Sequence, residues 1–416
     1  MGHILIIGGG VVGAACAWYL RRAGAEVIIM DQGPWGRGAS HGNCGYVCPS
    51  HVLPLAIPGA IASTLKAMLR PGSPFYIKPR LDPALWGWLL QFARRCTPTA
   101  MMAAARGLHA LLQSSRRLYD ELTAEEGFDC DWQPRGLLVV FRSHQALEHH
   151  GQSAELLRRE FGLISEPWSS GELSNREPAL KPGLAGGWFY PDDAHLRPDR
   201  LMKSWQRRLL TAGVEIREQC AVRGFALKDG RVVGVRTAAG PVRADAVVIA
   251  AGAWTPLVAR DLGVRLPIQP GKGYSITMPR PRNCPRLPLI FEEHRVAVTP
   301  LSDAYRLGST MEFAGYDATL NRRRLELLRA GARHYLQEPE AEPVYEEWFG
   351  WRPMTYDSLP IIDALPRHGN VWVAAGHGML GVSLATGTGK LLAERLLGRP
   401  PHVDPAPYGL QRLGIH

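Results

Sequence analysis

Residues 2–31 read GHILIIGGGVVGAACAWYLRRAGAEVIIMD, and this stretch decides the fold. His3 to Ile7 is a short, apolar, β-branched run, the signature of a buried strand. It enters Gly8-Gly9-Gly10-Val11-Val12-Gly13, which fits GxGxxG with glycines at 8, 10 and 13. A helical pattern follows through Ala14, Ala15, Ala17, Trp18 and Leu20, with Gly24 as its C-cap. A second apolar strand, 27–30, ends on Asp31, eighteen residues after Gly13. Gly8 permits the tight strand-to-helix turn, Gly10 lets a pyrophosphate approach the backbone, and Gly13 lets helix and strand pack closely. The phosphates would lie over the helix N-terminus, and Asp31 is placed to accept from an adenosine ribose. A strand before the glycines, a helix after them and the acid in place together predict dinucleotide binding.

Composition sets the frame. A chain of 416 residues exceeds one compact core, so two domains are expected. Hydrophobic content of 46% and charged content of 21% are those of a globular protein. The net charge is +10, but no Lys/Arg block is interleaved with aromatics, which argues against nucleic-acid binding. Seven cysteines form an odd set without CxxC, which indicates a reducing compartment and neither a disulfide framework nor a metal site. The apolar residues 4–20 lack the basic flank of a signal peptide, and no other stretch is long enough to span a bilayer. The expected location is cytoplasmic, with peripheral contact on the cytoplasmic face of the inner membrane as an option.

Downstream, 32–50 is a glycine-rich loop, and 51–80 is proline-punctuated and irregular with short helices. Helices are expected at 81–97, 99–127, 145–161, 199–212, 321–336 and 382–397. The first of these carries Trp86 and Trp88 between basic flanks, a pattern that suits a core or a membrane surface. Strands are expected at 136–142, 186–190, 214–217, 244–250, 273–278, 296–300, 305–309 and 371–375, with a hairpin over 222–237. The second half of the nucleotide-binding unit is therefore interrupted twice and returns near the C-terminus. This is not the continuous order of a nicotinamide dehydrogenase.

GGGVVG with Asp31, the loop GASHGNCGYV, VVIAAGAW, PGKGYSITM, GWRPMTYDSLPIID and AAGHGMLGVSLATGTGK occur in that order. Together they resemble the FAD-dependent D-amino-acid dehydrogenases of the D-amino-acid oxidase/glycine oxidase superfamily. The resemblance implies an α/β fold: a Rossmann-like FAD-binding domain (1–55, 195–262, 346–400) interleaved with an α+β substrate domain (56–194, 263–345). The substrate domain would carry a mostly antiparallel sheet, and 401–416 would be a tail. It also implies that Gly8, Gly10, Val12, Gly13, Asp31 and Gln32 hold the ADP half of FAD. Ser40 and Asn43 would reach the pyrophosphate and flavin, Val222 the adenine, and Gly252 the pyrophosphate. Gly378, Leu380 and Gly381 would put backbone amides at the flavin O2 edge, where charge develops on reduction.

Arg352, in the RP motif, is the expected substrate residue, because a guanidinium grips a carboxylate bidentately. Tyr274 is a candidate for contact with the substrate or with the groups that hold it. Glycine oxidases carry an arginine where this chain has Met379, and tyrosines near Phe291 and Val296. The pocket is thus expected to be more apolar there. His41, His51, His294 and His377 sit in segments that could face flavin or substrate.

The implied reaction takes hydride from the Cα of a D-amino acid to flavin N5, giving an imino or 2-oxo acid, with a quinone or another respiratory carrier as acceptor. D-proline or cis-4-hydroxy-D-proline is the alternative substrate. An FAD-binding subunit of an electron-transfer complex is the alternative of another class.

Overall fold

The computed structural model describes residues 2–68, 73 and 75–416. Residues 69–72 and 74, part of the stretch read as irregular, lie outside the described residues. The first sheet has six strands in the order Ile361–Leu365, His368–Ala375, Ala246–Ile249, His3–Ile7, Glu26–Met30, Glu215–Arg217. Five run parallel, and only Ile361–Leu365 is antiparallel to its neighbour. Leu5, Ile6, Val247, Val248, Val371 and Val373 at its centre are fully buried. Each contributes about 1.5–3 kcal/mol of apolar burial, which explains runs without polar alternation.

Helices cover one face of this sheet. Val11–Arg22 packs beside the C-terminal helix Gly381–Leu396, where a Cβ on Gly389 would stand 2.5 Å from the Ala15 backbone. The long helix Pro98–Ala124 lies against Gly381–Leu396, tied by Ser115 Oγ to Thr386 Oγ1 (2.6 Å) and by Tyr119 OH donating to Val382 O (2.8 Å). The sequence reading put this helix with the substrate-binding part; it packs on the C-terminal helix that covers the first sheet. On the other face sit three antiparallel strands, Val222–Lys228, Arg231–Thr237 and Gly240–Arg243, which bury Phe225, Val232 and Val235.

The second sheet has nine strands and is mostly antiparallel. Its order is Glu346–Thr355, Ile268–Met278, Tyr305–Phe313, Val296–Pro300, Leu289–Phe291, Leu137–Phe141, Gly186–Tyr190, Glu166–Ser169, with Phe75–Ile77 beside Tyr305–Phe313. Glu346–Thr355 was not expected as a strand, and 346–400 was grouped with the FAD-binding part. It is instead hydrogen-bonded into the second sheet, from Ile268↔Thr355 to Thr277↔Glu346. EEWFGWRPMT shows no alternation and contains Pro353, which an outermost strand tolerates. Ile268–Met278 likewise starts earlier than expected; Pro270 and Gly271 weaken the local strand pattern there.

Helix starts follow local chemistry. Asp82, Thr97 and Ser143 each accept a backbone N–H three residues on, and Ser169 with Glu172 forms a capping box.

Candidate active site

The glycine turn does what its spacing requires. Gly8 has φ +116°, where only glycine is at ease, and a Cβ there would meet Ala250 O at 2.4 Å. A Cβ on Gly13 would stand 1.9 Å from Gly8 O, so helix and strand touch backbone to backbone. Asp31 Oδ2 accepts from Gly9 N–H at 2.7 Å, and Oδ1 from Gly33 N–H at 2.8 Å. Burial still raises the Asp31 pKa, and these two bonds oppose it. Ser40 Oγ accepts from Val11 N–H at 3.0 Å at the helix start. Asn43 shapes its own loop: Oδ1 accepts from Gly45 N–H (2.8 Å) and Nδ2 donates to Ala39 O (3.3 Å).

One continuous cavity of ≈ 1770 Å³ runs from this turn to the second sheet. Gly8, Gly10, Val12, Asp31, Gln32, Ser40, Asn43, Val222, Gly252, Gly378, Leu380 and Gly381 line it, as do Arg352 and Tyr274. Of the residues expected to hold FAD, Gly13 alone does not; it packs beneath. Nothing would obstruct a Cβ on Gly252 within 4 Å, yet φ is +55° there, so the glycine serves the turn and leaves space above it. A cavity lined by an acid, a helix N-terminus and a half-buried cation suits a dinucleotide with a ring system attached.

Arg352 comes from the outermost strand of the second sheet. Its guanidinium lies over Gly273, where a Cβ would stand 2.3 Å from Cζ and 2.4 Å from both terminal nitrogens. Nη1 donates to Thr310 O at 2.7 Å. That carbonyl is aimed by an irregularity opposite Tyr274, where Ser309 (φ +114°) and Thr310 (φ +50°) both take left-handed conformations. Such strain costs about 1–3 kcal/mol per residue and concentrates at functional sites. Arg352 has no carboxylate partner among the described residues. Burial pushes its pKa below the usual value, with Cys44 pulling the other way. A half-buried guanidinium without a carboxylate partner on a cavity wall is a receptor for an anion.

The remaining candidates divide. Tyr274 OH donates to Glu312 and is inaccessible, and burial with that bond raises its pKa; its hydroxyl is committed to a protein partner. Phe291 does not line the cavity: it is fully buried and stacks on Tyr335 at 4.1 Å, so it forms no apolar pocket wall. Met379 and Val296 do line it. His41 pairs with Glu346 (2.8 Å) and His294 with Tyr335 OH (3.0 Å), both away from the cavity. His377 faces it but shares Nε2 with Thr388 Oγ1 (3.0 Å), and burial pushes its pKa down to about 3. His51 also lines the wall. Sequence reasoning missed Gly273 and Thr310. A glycine inside a strand does signal a close approach, and PGKGYS offers two.

Comparison with known proteins agrees with this architecture. The family model "DAO: FAD dependent oxidoreductase" matches residues 3–395. The chain belongs to this family of FAD-dependent oxidoreductases, and its cofactor is FAD. Among curated relatives, it is 36% identical over 417 residues to a D-amino acid dehydrogenase of Paramagnetospirillum magneticum, covering 98% of each chain. It is 37% identical over 412 residues to a D-amino acid dehydrogenase of Methylobacterium nodulans, covering 96% of each. A glycine oxidase structure from Geobacillus kaustophilus superposes with a TM-score of 0.80 at 23% identity over 99% of both chains. That likeness concerns the fold. No helix among the described residues is long and apolar enough to cross a membrane.

Proposed function

We propose that this enzyme dehydrogenates D-amino acids. The observation that carries the reading is Arg352, a half-buried cation without an acidic partner among the described residues, on the wall of the same cavity as the glycine turn and Asp31. The names of the curated relatives support it. Gly8, Gly10, Val12, Asp31, Gln32, Ser40, Asn43, Val222, Gly252, Gly378, Leu380 and Gly381 would hold FAD, which when bound supplies the two-electron acceptor. Arg352 grips the substrate carboxylate bidentately, fixing one end of the molecule. The strained Thr310 carbonyl and Gly273 hold that guanidinium in place. Trp348, Trp351 and Met354 on the same strand keep the region apolar and poor in water. Positioning in a dry pocket, without a paired-carboxylate acid/base, is sufficient for hydride loss from a neutral amine.

The electron acceptor is a quinone. What supports this is the cavity rim, where Leu55, Ile57, Ile61, Leu81 and Trp86 line the cavity and are solvent-exposed. Trp88, by contrast, is buried and donates Nε1–H to Met354 O at 3.1 Å. An apolar rim suits a hydrophobic acceptor delivered from a membrane surface. Cyclic D-proline or cis-4-hydroxy-D-proline is the second reading, favoured by Met379 on the wall where a second cation would serve a smaller, polar substrate.

Steady-state assays with D-alanine, D-proline and their L-isomers test both parts. The expected result is 2-oxo or cyclic imino acid formed from D-isomers alone, faster with a short-chain ubiquinone than with oxygen. Equal rates with L-isomers contradict the substrate reading, and hydrogen peroxide as the main reduced product contradicts the acceptor.

A further inference from the structure

His51 is a titratable group on the cavity wall that the reaction as described leaves unused. Its Nδ1 lies 3.2 Å from Ser50 Oγ, and Ser50 Oγ lies 2.6 Å from Asp193 Oδ2. Ser50 N–H also donates to Asp193 Oδ1 at 3.0 Å. The pairing of Tyr46–Val47 with Ala194–His195 holds these two segments side by side. Ser50 has a single hydroxyl hydrogen, and the short bond to the carboxylate claims it. At the longer contact the hydrogen therefore sits on His51 Nδ1, and Ser50 Oγ accepts. This leaves His51 Nε2 as the bare nitrogen, without a hydrogen-bond partner among the described residues.

The surroundings keep the chain in this state. Burial holds the His51 imidazole neutral and pushes its pKa down to about 4; Glu292 favours the charged form, and His150 disfavours it. Asp193 is inaccessible to solvent and has no cationic hydrogen-bond partner among the described residues. Burial raises its carboxyl to about 7, Asp192 pushes the same way, and bonds from Ser50 and Cys48 oppose. A carboxyl that titrates near neutrality can both receive and release a proton during turnover.

We propose that His51, Ser50 and Asp193 form a proton relay that removes from the substrate ammonium the proton it must lose before hydride can leave Cα. The relay rests on the D-amino-acid reading above. An N–H bond of the substrate breaks, and an N–H bond forms at His51 Nε2. The Nδ1 hydrogen passes to Ser50 Oγ, whose own hydrogen passes to Asp193 Oδ2. The substrate is left as a neutral amine with its lone pair. His51 ends as neutral imidazole in the other tautomer, Asp193 as a carboxylic acid, and no electrons move. His51 touches the substrate in this scheme; Ser50 and Asp193 act through it.

The test is the pH dependence of anaerobic flavin reduction by D-alanine, followed by stopped flow in FAD-loaded wild type, His51→Gln and Asp193→Asn. The limiting rate of His51→Gln at neutral pH is expected to fall roughly 100-fold, the lower end of what a positioned base contributes. It recovers at alkaline pH, where solvent takes the ammonium proton, and Asp193→Asn gives the same profile. A His51→Gln profile that superimposes on wild type overturns the relay. So does a rate loss that alkaline pH does not rescue in protein with full flavin content and an unchanged melting temperature. Histidine ¹⁵N shifts read the tautomer without turnover: protonated Nδ1 and bare Nε2 on His51 are expected, and the reverse overturns the proposal. If no amino acid bleaches the wild-type flavin, the substrate assignment fails first and takes the relay with it, whatever tautomer the shifts report.

Discussion

Replacing Gly273 by Ala separates substrate binding from stability more cleanly than any change to Arg352 itself. The added Cβ would stand 2.3 Å from Arg352 Cζ, whereas ordinary contact begins near 3.4 Å, so the guanidinium must retreat by about 1 Å. The obstructing atoms are the end of a flexible side chain, not backbone, and Gly273 has no positive φ. The fold should therefore absorb the change with a melting temperature close to wild type. The substrate site should not. A retreat of 1 Å stretches the 2.7 Å bond to Thr310 O and spoils the two-point grip on a carboxylate. Charge-assisted hydrogen bonds are worth about 1.5–3 kcal/mol each, so losing one weakens substrate binding by roughly 10- to 100-fold, and losing two by more. Anaerobic titration of the flavin spectrum with D-alanine measures this directly, and the flavin-to-protein ratio controls for cofactor loss. Binding within threefold of wild type would refute the placement of the guanidinium; lost FAD would place Gly273 in the cofactor cradle instead.

Other changes test the remaining parts. Gly13→Ala sets a Cβ 1.9 Å from a backbone carbonyl that cannot step aside, so both melting temperature and flavin retention should drop; unchanged values would contradict the backbone contact. Asp31→Ala frees the Gly9 and Gly33 amides and removes the proposed ribose acceptor. FAD binding to the apoprotein, read by flavin fluorescence, should weaken by roughly 10- to 100-fold. Asp193 titrates near 7 when folded and near 4 when unfolded, so its protonated form favours the fold. That contribution is complete below about pH 4 and disappears as pH rises through 7, on the order of 4 kcal/mol in all. The melting temperature of wild type relative to Asp193→Asn should therefore decline across this range, and a flat difference would show that the carboxyl is not held near neutrality.

The nucleotide half was legible because its determinants are local. Three glycines, one acid and two apolar runs within thirty residues specify the turn, and those strands and the helix between them lie close to where the pattern puts them. The C-terminal return was legible for the same reason, since 371–375 and 382–397 keep clean periodicities. The arginine strand was not. Its partner strand lies some eighty residues earlier in sequence, its burial does not alternate, and proline and glycine disguise it. Arg352 was found by its motif, but its support, Gly273 and the Ser309–Thr310 distortion, depends on strand pairing that no local pattern carries. Phe291 shows the reverse failure. Its position between pocket-lining neighbours was readable, but not the side of the sheet its ring would take.

The most direct test of the account is anaerobic bleaching of the bound flavin by D-alanine and by L-alanine, in wild type and in Arg352→Leu of equal flavin content. Full bleaching by the D-isomer alone, abolished in Arg352→Leu, is the predicted result. Bleaching that persists in Arg352→Leu, or that ignores the hand of the amino acid, would contradict the claim that this guanidinium receives the carboxylate of a D-amino acid.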